Sequence, residues 1–122
     1  VIEKYRKFPF IKIFKNIPRD DYVGLMNIAN VLIGNSSGGI IEAPSLKLAV
    51  INIGNRQKKR ERAKNIIEVD YDRTQIKKAI KKAIYDKRFK EQLRKCKNPY
   101  GDGKAGIRIT NTLKYLSFFS MQ

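Results

Sequence analysis

The stretch Val31-Leu-Ile-Gly-Asn-Ser-Ser-Gly-Gly-Ile-Ile-Glu42 decides the fold. Val31 to Ile33 is short and wholly apolar, as a strand buried on both faces must be. Gly34 to Gly39 is a tight loop of small residues. A helix follows, from Ile40 to about Leu46, disturbed by Pro44. Strand, loop and helix in this order make half of a βαβ unit, and in an open α/β sheet the carboxyl end of such a strand is where ligands bind. Small residues let a phosphate approach the backbone, and free N–H groups at a helix start favour an anion. The Ser36 and Ser37 hydroxyls add donors. By local pattern alone, the segment is equally a glycine-rich turn with a serine N-cap. Gly34 and Gly39 fit the GxxxxG of a triphosphate loop, but Ile40-Ile41 stands where Lys-Ser/Thr is needed, so a triphosphatase is excluded. There is no GxGxxG either. A diphosphate stays open.

Glu42 lies one helical turn beyond the glycines. A carboxylate there can accept both hydroxyls of a ribose; it is also what a helix dipole favours in a first turn. The next buried strand, Leu48-Ala-Val-Ile-Asn-Ile53, runs into a basic loop, Gly54 to Lys64. That loop holds Arg56, Lys58, Lys59, Arg60, Arg62 and Lys64 against the single acid Glu61. Such a loop can carry an arginine over a diphosphate, and Arg56, closest to the strand end, is the candidate. The alternative is a solvated basic face.

Working outward, Phe10-Ile-Lys-Ile-Phe14 reads as a strand and Asn16-Ile-Pro-Arg19 as a turn. Asp20 or Asp21 can cap a helix from about Tyr22 to Asn30, with Leu25, Met26, Ile28 and Ala29 inward. Ile66 to Val69 is a further strand. Asp72-x-x-Gln75 is a capping-box-like start to a long helix reaching about Lys95, with Ile76, Ala79, Ile80, Ala83 and Ile84 on one face and Lys77, Lys78, Lys81 and Lys82 solvated on the other. Asn98-Pro-Tyr-Gly-Asp-Gly103 breaks the chain, and a last helix runs from about Lys104 to Phe119. Strands alternating with helices predict an α/β fold: a Rossmann-like parallel sheet with helices on both faces.

Composition narrows the function. The chain has 122 residues, enough for one domain, and 42% are hydrophobic, which excludes a disordered basic tail. The absence of histidine excludes a Ser-His-Asp triad and a His metal ligand within this chain. One cysteine, Cys96, allows no internal disulfide and suits a reducing, cytoplasmic compartment. No metal or cofactor is called for. No apolar run approaches the roughly 18 residues of a membrane span, so no membrane partner is expected. The 27 Lys+Arg against 11 Asp+Glu give a net charge of +16. A polyanion would explain that charge, and Phe8, Phe10 and Phe14 among basic residues mimic a single-strand binder. Lysines spread over amphipathic helices account for it without nucleic acid. Val1 opens the chain without an initiator Met, which suggests the later part of a longer protein.

Four separated segments resemble the UDP-N-acetylglucosamine 2-epimerase family: Ile33-Gly-Asn-Ser-Ser-Gly-Gly-Ile-Ile-Glu-Ala-Pro44, Ile51-Asn-Ile-Gly-Asn-Arg-Gln57, Arg60 to Asn65, and Asn98-Pro-Tyr-Gly-Asp-Gly-Lys-Ala105. The resemblance covers about Phe14 to Leu116. It implies the second of two tandem Rossmann-like domains of the glycosyltransferase-B type, the nucleotide sugar lying in the cleft between them. Residues 1–122 would then be one partial C-terminal nucleotide-binding domain. Its last helix, about 104–122 with Leu113, Leu116, Phe118 and Phe119, would cross back onto the missing N-terminal domain. Gly-Asn-Ser-Ser and Asn-Ile-Gly-Asn-Arg-Gln look like the hydrolysing branch, which releases UDP and an N-acetylmannosamine-type sugar for sialic-acid-like synthesis. The non-hydrolysing branch typically carries Thr-Asp-Ser-Gly-Gly-x-Gln-Glu-Glu-Ala-Pro. Lys59 departs from the glycine common in the hydrolysing branch. By position, the resemblance implies that Ser36, Ser37 and the Gly38 backbone bind the diphosphate. Glu42 would hold the ribose hydroxyls and Arg56 would meet the phosphates. Residues around Phe14, Asn16 and Ile17 would face uracil. The family's reaction eliminates UDP across C1–C2 of the sugar and then adds water at C2. The proton-transfer groups are expected outside this chain, in a parent expected to be a homo-oligomer.

Overall fold

The computed structural model describes residues 1–120. Its sheet has three parallel strands, β1 (Val31–Gly34), β2 (Ala49–Ile53) and β3 (Ile66–Val69), in the order β1-β2-β3. Val31 pairs with Ala49 and Gly34 with Asn52; Val50 pairs with Ile66 and Asn52 with Glu68. These three strands lie where the sequence places them, because each is a mainly aliphatic run between turn residues, but β1 is an edge strand and its Ile33 is 45% exposed rather than buried on both faces.

Helices cover both faces, as expected of a parallel sheet. On one face Leu32, Val50 and Ile66 pack with Tyr22 and Met26 of α1 (Arg19–Ile28) and with Ala43 and Leu46 of a 3₁₀ turn, Ala43–Leu46. On the other face Val31, Ala49 and Ile67 pack with Ala83 of α3 (Arg73–Tyr85) and with Phe89 and Leu93 of α4 (Lys87–Arg94). The alternation of Ala49 and Val50 to opposite layers follows from the two-residue period of a strand. Ile51 and Ile40 are fully buried, each worth about 1.5–3 kcal/mol. Asn65 pins the start of β3 to β2: its side-chain N–H donates to the Leu48 carbonyl at 2.9 Å, and its own carbonyl accepts from Val50 N–H at 2.9 Å.

Several boundaries differ from the sequence reading. Residues 10–14 form no strand. Phe10 and Phe14 are exposed, and the Phe8 and Phe10 rings stack at 5.4 Å in a segment that pairs with none of the three strands. An apolar-basic alternation specifies a half-buried strand only where a neighbour offers a ladder. α1 starts at Arg19 after Pro18, so Asp20 and Asp21 lie in its first turn rather than capping it. Met26 is buried, but Leu25, Ile28 and Ala29 are exposed. α2 begins earlier than expected, at Ser37, and ends at Ile41; Pro44 then lies in the 3₁₀ turn. The long helix is two. Asp72 caps α3, accepting from Gln75 N–H at 2.7 Å. Asp86 then ends α3 in an extended conformation and caps α4, accepting from Phe89 N–H at 2.8 Å. The break turns Phe89 into the Ala83 layer.

α5 (Ala105–Ser120) closes the described chain, and all of its residues from Ala105 to Leu116 are exposed. Leu113 and Leu116 are among them; the side chains of Phe118 and Phe119 lie outside what is described. No described helix is long and apolar enough to cross a membrane.

Candidate functional site

Ser36 occupies the N-cap of α2 (Ser37–Ile41) in extended conformation, and its hydroxyl accepts from Gly38 N–H at 3.4 Å. The two glycines that follow have different reasons. A Cβ on Gly39 would stand 2.9 Å from Val50 Cγ1, so only glycine lets α2 lie this close to β2. A Cβ on Gly38 would stand 3.2 Å from Glu42 Oε2 and 3.4 Å from the Tyr22 hydroxyl. The bare edge of Gly38 therefore faces the carboxylate and the phenol.

A cavity of about 390 Å³ opens at this place. Of the residues singled out in the sequence, Ile17, Ser36, Ser37, Gly38 and Glu42 line it together. Arg19 and Tyr22 of α1 form the opposite wall, a contribution the sequence reading missed. No local signal could have found them, because a long-range contact brings α1 over α2. Glu42 is the C-cap of α2, and its carboxylate forms an ion pair with Arg19, Nη2 lying 2.8 Å from Oε1. The arginine side chain is largely exposed, so the pair is worth at most about 1 kcal/mol. An ionised carboxylate has about four acceptor positions, and one arginine contact leaves capacity for a diol.

Phe14, Asn16 and Arg56 do not line this cavity. Phe14 and Asn16 are exposed on the segment leading to α1. Arg56 is exposed on the basic loop, just past Gly54, whose φ of 79° turns the chain out of β2. The loop instead touches the residue before Ser36: Gln57, 5% exposed, donates to the Asn35 carbonyl at 3.0 Å, outside the cavity wall. Beneath the loop, Asn52 is buried at the end of β2, and its amide atoms have no hydrogen-bond partner.

The Asn98 segment braces the site from behind. Asn98 Nδ2 donates to the Ile41 carbonyl at 2.8 Å and to Ser45 Oγ at 2.7 Å. The Tyr100 hydroxyl donates to the Glu61 carbonyl at 2.9 Å. The Arg108 guanidinium at 2.6 Å and the Lys104 N–H hold the Asp102 carboxyl below the usual carboxylate range. A second cavity, about 510 Å³, lies at the same edge of the sheet between Asn35, Ile53, Tyr71 and Ile76. Among the described residues no group of three or more His, Cys, Asp or Glu side chains could hold a metal ion.

A parallel, doubly covered sheet with a serine-glycine loop at its carboxyl edge defines a Rossmann-like α/β protein. Within that class, the profile of the UDP-N-acetylglucosamine 2-epimerase family matches residues 1–114, and the chain belongs to that family. It is 37% identical over 120 residues to the UDP-N,N'-diacetylbacillosamine 2-epimerase (hydrolyzing) of Legionella pneumophila, covering 98% of this chain and 30% of that protein. It is 38% identical over 99 residues to the polysialic acid biosynthesis protein P7 of Escherichia coli, covering 81% of this chain and 25% of that one. A shorter match, 53% identical over 57 residues, is to the GDP/UDP-N,N'-diacetylbacillosamine 2-epimerase (hydrolyzing) of Campylobacter jejuni; it covers 47% of this chain and 15% of that protein. The chain thus spans less than a third of the length of these relatives.

Proposed function

We propose that the chain is the UDP-binding half of a hydrolysing UDP-N-acetylhexosamine 2-epimerase. The observation that carries the reading is the meeting of Ser36, Ser37, Gly38, Glu42 and Ile17 around one cavity in a chain of this family. Gly-Asn-Ser-Ser and the hydrolysing activities named for the Legionella and Campylobacter relatives support the hydrolysing branch. The substrate is a UDP-linked N-acetylated amino sugar of the UDP-GlcNAc or diacetylbacillosamine type. The product sugar feeds sialic-acid-like or surface polysaccharide synthesis in the cytoplasm.

In this reading Glu42 accepts the ribose hydroxyls with the carboxylate positions that Arg19 leaves open. The Ser36 and Ser37 hydroxyls and the Gly38 backbone bind the diphosphate, and Arg56, which lies off the cavity wall, swings over it from the basic loop. Ile17 faces the uracil, joined by backbone groups of the exposed chain before it, Phe14 to Asn16, whose side chains lie off the cavity wall. Together these groups stabilise the charge that develops on UDP as the C1–O bond breaks. The chain contains no histidine, and the proton transfers at C2 fall to a preceding N-terminal domain of a homo-oligomeric parent.

Incubating the full-length protein with UDP-GlcNAc or UDP-diacetylbacillosamine, with no sugar acceptor, tests the branch. Free UDP and free 2-epimeric sugar in equal amounts are expected. An epimerised UDP-sugar without free UDP would place the protein in the non-hydrolysing branch. Turnover only with an added acceptor would make it a glycosyltransferase.

A further inference from the structure

One arginine of the basic loop is unlike the others. Arg62 folds inward: its guanidinium donates to the carbonyls of Gln57, Lys58 and Arg60, each at 3.0 Å, and pairs with the Glu68 carboxylate on β3. The two terminal nitrogens of the fork serve three carbonyls while its charge faces Glu68, and Nε makes no hydrogen bond of its own; an ammonium on a flexible stem cannot hold the same set. Residues 57–62 are thereby closed into a compact turn anchored to the sheet, and the Tyr100 hydroxyl holds that turn from outside through the Glu61 carbonyl. At the head of the turn, buried Gln57 donates to the Asn35 carbonyl. Asn35 directly precedes Ser36. The side chains of Arg56, Lys58, Lys59, Arg60 and Lys64, by contrast, are exposed.

We infer that Gln57 and Arg62 are positioning residues for the Ser36–Gly38 loop, acting through the Asn35 carbonyl. A trans peptide is planar, so fixing the carbonyl of Asn35 on the Gln57 side turns the Ser36 N–H to the opposite side. That sets the direction in which the loop presents its N–H and hydroxyl donors. The line of transmission runs Glu68, Arg62, Gln57, Asn35, Ser36. The basic loop therefore acts on the site in two ways, through charge at its exposed tip and through geometry at its buried root. This inference rests on the cavity being the UDP site.

The test is UDP affinity, by calorimetry, and melting temperature for the full-length protein and its Gln57→Glu, Arg62→Lys, Glu42→Ala and Lys78→Ala variants. Gln57→Glu keeps the shape and removes the donor. It should weaken UDP binding about tenfold, as should Arg62→Lys, with the complex still forming far below the melting point. A purely structural role would lower the melting temperature and leave the affinity of the folded protein unchanged. That outcome, with Glu42→Ala still weakening UDP, overturns the positioning role alone. If Glu42→Ala also binds like the parent and like Lys78→Ala, the UDP site itself is misplaced and both readings fall. Should Gln57→Glu not fold, Gln57→Asn, whose shorter amide cannot reach Asn35 in the same pose, decides by the same titration: a weakened affinity supports the role and an unchanged one overturns it.

Discussion

Arg19 Nη2 lies 2.8 Å from Glu42 Oε1, joining the first turn of α1 to the end of α2 across the cavity. The contact holds the carboxylate over Gly38, where Oε2 would meet any added Cβ. In the proposed reading, a nucleotide diol entering the cavity meets an acceptor already oriented. Since the arginine is mostly solvated, Arg19→Ala should change stability by less than about 1 kcal/mol. It should weaken UDP binding less than removal of Glu42 does. Melting curves and UDP titration of the two variants in the full-length protein check this order.

Glu42→Ala should weaken UDP binding in the full-length protein by about 1.5–3 kcal/mol, since hydrogen bonds to a charged acceptor are lost. Lys78→Ala should leave it unchanged, because Lys78 is exposed on α3. Equal calorimetric affinities for the two variants would remove Glu42 from the site.

The two glycines should separate stability from binding. Gly39→Ala forces a Cβ against Val50 in the core, and overpacking of that kind costs about 1–3 kcal/mol. Gly38→Ala meets side-chain ends that can move aside, the Glu42 carboxylate and the Tyr22 hydroxyl. It should cost less stability and more UDP affinity than Gly39→Ala. Denaturation and titration of both variants read the two effects independently; a larger stability loss for Gly38→Ala would contradict the packing account.

Asp86→Ala removes the cap that accepts from Phe89 N–H and should destabilise the protein by about 1 kcal/mol, without changing UDP affinity. Denaturant unfolding gives the first quantity. Asp86→Asn, which keeps a capping oxygen, should recover most of it.

The 122-residue chain alone should release no UDP from UDP-GlcNAc, because in the proposed reading the proton-transfer groups lie on a second domain that closes over the sugar and aligns them. Chromatography for free UDP reads this directly, and turnover by the isolated chain would show that it holds the complete site.

The three strands of the sheet were legible in the sequence because each is a mainly aliphatic run bounded by turn residues. The serine-glycine loop was legible because small residues before an apolar helix have few other uses. The split between α3 and α4 was not: Asp86 can continue a helix as a solvated side chain or cap a new one, and what selects the cap is the burial of Phe89, a tertiary event. Residues 10–14 misread for the same reason, since their aromatic-basic alternation carries no information about whether a partner strand exists. In the site, Ser36, Ser37, Gly38 and Glu42 are close in sequence and could be grouped by spacing. Arg19 and Tyr22 reach the same place only through the packing of α1, and Gln57 reaches the neighbouring Asn35 only through the folding of the basic loop.

The most direct test of the account is a crystal structure of the full-length protein with UDP. The ribose hydroxyls should lie within hydrogen-bonding distance of the Glu42 carboxylate, with the diphosphate against Ser36, Ser37 and the Gly38 N–H. UDP bound elsewhere, for instance in the cavity beside Tyr71 and Ile76, with the Glu42 carboxylate engaged only by Arg19, would contradict it.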